Sequence, residues 1–101
     1  MRLRVLGTGL VVFLAACTGQ ADPDATGAEL YSQFCARCHA ADLSGGVGPA
    51  MGAGSALVER PDSYIFDAIA NGRGAMPAFG RTLSDDQVQR LVDFIRVEQG
   101  S

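Results

Sequence analysis

Cys35, Ala36, Arg37, Cys38 and His39 stand in a row, and His39 is the single histidine among 101 residues. A Cys-x-x-Cys-His run carries two thiols about one helical turn apart, with an imidazole beside the second. That spacing lets both sulfurs add to the two vinyl groups of a haem while the imidazole reaches the iron. Two other chemistries use paired cysteines. A structural zinc site takes four protein ligands, and once Cys35, Cys38 and His39 are used the domain has no cysteine or histidine left for the fourth. A dithiol redox centre belongs in a strand-helix-strand setting, and no strand-like alternation or long repeat occurs anywhere in the chain.

The first residues have the layout of an export signal. Arg2 and Arg4 precede an apolar run over residues 5–16 that ends in small residues, and the run is too short to span a bilayer alone. Leu14, Ala15, Ala16 and Cys17 also resemble the lipobox of bacterial lipoproteins, in which the cysteine becomes the lipidated first residue. An ordinary signal cleaved nearby, with Cys17 incidental, is the alternative. The organisation expected is thus a lipoprotein-type signal peptide over 1–16, a lipidated Cys17 and polar tether over 17–25, and one domain over 26–101. Cys17 for lipid and Cys35 and Cys38 for thioethers account for all three cysteines, leaving none for a disulfide.

All eight basic residues are arginine, and with Arg2 and Arg4 in the leader six remain against eleven acidic groups. This balance disfavours a nucleic-acid partner, and a docking surface built from lysines cannot form. A mature chain of about 84 residues sits where a hydrophobic core alone gives marginal stability. A covalently held, largely apolar cofactor would supply the missing buried surface, so the chain without it is expected to fold poorly.

The helical signals are clear at both ends of the domain. Thr26 with Glu29 is a capping-box pattern, and Leu30, Tyr31 and Phe34 share one face of a helix running from Gly27 to Ala36 or slightly beyond. Residues 42–54 hold five glycines and a proline and predict turns. A short helical piece is predicted over 55–59. Another helix starts near Pro61, carries Ile65, Phe66 and Ile69 as a small apolar face, and stops at Asn71 and Gly72. A loop over 73–81 contains Met76 and Pro77. The last helix opens with Ser84 and Gln87 as a second capping box, Leu83 and Val88 as a staple, and Val88, Leu91, Val92 and Ile95 as its buried stripe. The fold class is all-α.

A neutral imidazole from His39 is the iron ligand that these residues offer, and its free ring nitrogen needs an acceptor. A second axial ligand is neither histidine nor lysine, which leaves a methionine sulfur, from Met51 or Met76, or an open position. In order along the chain, Cys35-Ala-Arg-Cys38-His39, Gly48-Pro49, Asn71-Gly-Arg-Gly-Ala-Met76-Pro77-Ala-Phe79 and Leu91-Val-Asp-Phe94-Ile95 resemble the small monohaem cytochromes c of the His/Met class, class I. The resemblance spans about Gly27 to Gln99.

It implies three to five short helices wrapped around one haem c bonded through Cys35 and Cys38, with N- and C-terminal helices crossing. It further implies His39 and Met76 as axial ligands, the Pro49 carbonyl as the acceptor for the His39 ring, and Gly27 packed against Phe94; Met51, close to His39 in sequence, is then a gap-filling contact at the haem edge. An ordinary helix start at Gly27 and an ordinary core residue at Phe94 is the plainer reading of that pair. Arg73 and Arg81 flank the methionine loop as partners for haem carboxylates or as solvated loop residues.

The function expected on this basis is one-electron transfer rather than catalysis, on the periplasmic side of a bacterial membrane. The partners would be redox proteins, either a membrane respiratory complex or a periplasmic oxidoreductase, with the lipid on Cys17 as the membrane attachment. A haem-based sensor or enzyme subunit with an open or displaceable sixth ligand is the alternative.

Overall fold

The computed structural model describes residues 21–100; the leader over 1–16 and Cys17 lie outside them. Four α-helices occur there: α1 Gly27–Phe34, α2 Ala36–His39, α3 Asp62–Asn71 and α4 Asp85–Gly100, with a 3-10 turn at Ala56–Glu59 before α3. The described residues hold no strand, only an isolated antiparallel bridge between Arg73 and Met76, so the class is all-α. None of these helices is long and apolar enough to cross a membrane.

Local chemistry sets the helix ends. At α1 the Thr26 hydroxyl accepts from the Glu29 N–H at 3.1 Å, while the Glu29 carboxylate accepts from the Thr26 N–H at 2.8 Å. Ser84 and Gln87 repeat the exchange at the head of α4, at 3.2 and 2.8 Å. Each box satisfies two donors that a helix start otherwise leaves unpaired. The first helix does not run on into Ala36. Cys35 interrupts it with φ −115°, closing α1 and opening α2.

The core lies where α1 crosses α4. Leu30, Leu91 and Val92 are completely buried, with Tyr31, Val88 and Ile95 nearly so. Burying side chains of this size stabilises by about 1.5–3 kcal/mol each before chain entropy is counted. The crossing is close because Gly27 lacks a side chain: a Cβ there would stand 2.5 Å from the Arg90 carbonyl oxygen and 2.8 Å from the Phe94 Cβ. The Tyr31 and Phe94 rings pack beside it, centroids 5.3 Å apart. On the other flank Ile65 and Ile69 of α3 are buried. Arg96 of α4 bonds Asp62 at 2.7 Å and the carbonyls of Leu57 and Arg60, which fixes the 3-10 turn and the head of α3.

Residues 22–25, the end of the segment that the sequence marks as a polar tether, are strapped to α4. Gln87 Nε2 donates to the Asp22 carbonyl at 3.2 Å, and Arg90 Nη1 donates to the carbonyls of Pro23 and Ala25 at 3.1 and 2.9 Å. Ala25 is buried. The partners come from some 65 positions downstream, which is why a window of local composition reads this segment as unattached.

Candidate functional site

Cys35 and Cys38 bracket α2, and His39 ends it. Cys35 and His39 are buried, Cys38 is half-buried, and both thiols are free. Burial pushes the Cys35 thiol up to about 11, with the neighbouring Cys38 charge adding to the effect, so in the unreacted chain it stays protonated. After α2 the chain turns sharply. The Gly48 N–H donates to the Cys38 carbonyl at 2.7 Å and the Gly45 N–H to the His39 carbonyl at 2.9 Å. These bonds lay residues 45–49 back over the imidazole. His39 Nδ1–H donates to the Pro49 carbonyl at 2.8 Å. A carbonyl only accepts, so the proton sits on Nδ1 and the Nε2 lone pair is left for a metal.

Gly48 lies against the ring itself. A Cβ there would stand 2.7 Å from Cε1 and 2.9 Å from Nδ1 of His39. In the sequence Gly48 stands out only as the neighbour of Pro49, the expected acceptor for the His39 ring; that it touches the imidazole shows only in the fold. Met51 continues the same loop, its N–H donating to the Leu43 carbonyl at 2.9 Å and its carbonyl accepting from Gln99 Nε2 at 3.0 Å.

Met76 belongs to a different construction. α3 stops at Gly72, whose φ of 77° and ψ of 167° suit glycine. Arg73 and Met76 then exchange two backbone bonds, Met76 N–H to Arg73 O at 2.8 Å and Arg73 N–H to Met76 O at 3.2 Å. The result is a tight hairpin over 73–76, with Gly74 at φ 54°. Beyond it the loop returns to α3, Phe79 N–H donating to Ile69 O and Gly80 N–H to Ala70 O, both at 2.9 Å. The Phe79 ring meets Phe34 of α1 edge-on at 5.8 Å. Met76 is half-buried and packs on the core. Of the two loop arginines, Arg73 lies over the Tyr64 ring at 4.8 Å, and Arg81 is exposed.

The family model for cytochrome c oxidase, cbb3-type, subunit III, matches residues 22–95. This chain belongs to that family of c-type cytochromes. The cytochrome is 38% identical over 89 residues to the cytochrome c subunit of 4-cresol dehydrogenase [hydroxylating] from Pseudomonas putida, a match covering 85% of this chain and 74% of the relative. It is 33% identical over 81 residues to cytochrome c6 of Leptolyngbya boryana, covering 75% and 95%. Its fold superposes on the solved c-type cytochrome NirC with a TM-score of 0.61 and 34% identity, over 68% of this chain and 82% of that one.

The residues present fit the cofactor of this family. Two unpaired thiols at the required spacing and an imidazole whose Nδ1 is already committed to Pro49 form a donor set for one covalent haem c, attached through Cys35 and Cys38. Among the described residues no three histidine, cysteine or acidic side chains converge to hold a metal ion by themselves. When bound, the haem supplies a one-electron ferrous/ferric couple, and the cytochrome is accordingly an electron-transfer protein.

Proposed function

We propose that this cytochrome is a one-electron carrier of class I with His39 and Met76 as the axial ligands. The observation that carries the reading is the bond from His39 Nδ1–H to Pro49 O at 2.8 Å, because it fixes tautomer and ring plane and directs Nε2 to the iron. For the second ligand, Met76 is held in a hairpin whose return limb is bonded to α3 and packed on α1. Met51 is committed to the histidine-side loop through Leu43 and Gln99. A loop whose return limb is fastened in this way favours firm thioether ligation over an open sixth position. A sulfur ligand in a dry pocket raises the reduction potential, and the chain holds no second histidine for acid/base work.

The same reading places the protein outside the cytoplasmic membrane, exported by the leader over 1–16 and attached through lipid on Cys17. Its partners are redox proteins, either a respiratory complex or a periplasmic oxidoreductase. The likeness to a dehydrogenase's cytochrome subunit supports the second kind.

Haem-loaded protein tests the ligand assignment. Met76→Ala loses the sulfur-to-iron charge-transfer band of the ferric form and its potential falls, while Met51→Ala keeps both. An intact band in Met76→Ala, or rapid carbon monoxide binding by the reduced wild type, overturns it. Radiolabelled palmitate incorporated by wild type but not by Cys17→Ala tests the anchor.

A further inference from the structure

Two guanidinium groups stack on the ring of Tyr64, with Arg60 Cζ 4.7 Å and Arg73 Cζ 4.8 Å from its centroid. Tyr64 is half-buried on the first turns of α3, and both arginines are exposed. Arg60 sits just ahead of α3, and its carbonyl accepts from Arg96 of α4. Arg73 is the first residue after Gly72 on the path to Met76. We propose that Tyr64 is a positioning residue for the methionine ligand: by gripping Arg73 it holds the near limb of the hairpin on α3 and limits how often Met76 leaves the iron. This inference rests on the assignment of Met76 as an axial ligand.

Two glycines flank Arg73, both at positive φ, 77° at Gly72 and 54° at Gly74. Glycine at such positions leaves the chain many alternatives, so the backbone on either side of Arg73 is the softest part of the near limb. The far limb is fixed by two bonds to α3 and the Phe79 ring. Beyond the Gly72 N–H, which donates to the Ala68 carbonyl at 2.9 Å, the Arg73 side chain ties the near limb back onto the helix. That tie is passed on directly, because Arg73 and Met76 are doubly hydrogen-bonded to each other. A stack of an exposed guanidinium on a tyrosine ring is a weak contact. It is too weak to decide whether the domain folds, and strong enough to shift an equilibrium between ligated and open methionine severalfold. Arginine suits the task, since its planar guanidinium stacks on an aromatic face.

The test is titration of ferric, haem-loaded protein with imidazole, followed through the shift of the main haem absorption band. Apparent affinity scales with the fraction of molecules whose methionine has left. Tyr64→Leu and Arg73→Gln each bind imidazole about three- to five-fold more tightly than wild type, from the strength of one such stack. The double variant binds no more tightly than either single one, because both remove the same contact. Tyr64→Phe keeps the ring and stays close to wild type. Wild-type affinity in Tyr64→Leu, or additive effects in the double variant, overturns the proposal, as does a lowered thermal midpoint without any change in imidazole binding. If Met76→Ala binds imidazole as wild type does, it is the ligand assignment that has failed. Arg73→Gln changes only an exposed side chain, so it reports even where Tyr64→Leu folds poorly.

Discussion

The helix that ends at His39 and the helix that leads to Met76 stop in the same backbone conformation with different residues. Ala40 closes α2 at φ 72°, ψ 155°, and Gly72 closes α3 at φ 77°, ψ 167°. A residue with a Cβ is strained there by about 1–3 kcal/mol, and glycine is not. On the histidine side the strain is tolerated because the Tyr31 hydroxyl, from the core of α1, donates to the Ala40 carbonyl at 2.6 Å and pins the turn. On the methionine side a side chain has nowhere to go: a Cβ on Gly72 would stand 2.6 Å from the Met76 carbonyl oxygen and 3.0 Å from the Ala78 nitrogen. One turn is therefore held from outside by tertiary contact, and the other is shaped by how closely its own loop folds back.

Exchanging the two residues is the sharpest way to break this contrast, and the larger effect belongs to Gly72→Ala. It adds backbone strain of about 1–3 kcal/mol to overpacking of about 1–3 kcal/mol, against backbone atoms that cannot rotate aside. The expected loss is about 3 kcal/mol in the guanidinium unfolding of haem-loaded protein, with a weakened charge-transfer band because the displaced carbonyl is that of Met76. A loss under about 1 kcal/mol, too small for either term, would mean that the loop moves freely. The reciprocal Ala40→Gly relieves strain of about 1–3 kcal/mol and restores about 0.5–1 kcal/mol of unfolded-chain entropy. A net gain of about 1 kcal/mol follows, with the spectrum unchanged. If it destabilises instead, the Ala40 turn stores no strain.

The same contrast separates what the sequence discloses from what it hides. Apolar spacing and capping patterns mark α1 and α4: both boxes form, and Val88, Leu91, Val92 and Ile95 are all buried. Gly72 ends its helix where an Asn-Gly pair signals a stop. Close approach at Gly27 is real, with the Arg90 carbonyl as well as Phe94 against it. Ala40 gives no such sign, because alanine at a glycine conformation has no signature in composition or period. The same holds for Leu43, fully buried at φ 65°. The strap over 22–25, the stack on Tyr64 and the packing of Gly48 on an imidazole depend on residues that only the folded chain brings together. Local signals thus give the elements, and the fit around each ligand candidate is set by contacts between elements.

Tyr31→Phe refines the comparison with the smallest expected effect, since it deletes the outside support of the Ala40 turn and leaves its shape. Losing one buried hydrogen bond costs about 1 kcal/mol, near neutral pH. The sign of its pH dependence follows from the phenol, which is pushed up to about 12, first by burial and then by the charges of Cys35 and Asp42. In the haem-bonded protein Cys35 is a thioether without charge, so burial and Asp42 maintain the shift. Below the ordinary phenol value of about 10 both folded and unfolded Tyr31 are protonated, and its contribution is fully present. Between there and about 12 the unfolded chain ionises first, and stability drains away as pH rises. Wild type therefore loses its advantage over Tyr31→Phe between pH 9 and pH 11.5, read from urea midpoints of the two proteins at each pH. A gap that stays constant or widens would show that the Tyr31 hydroxyl ionises as readily in the fold as in the open chain, and that Ala40 is held by something other than its bond.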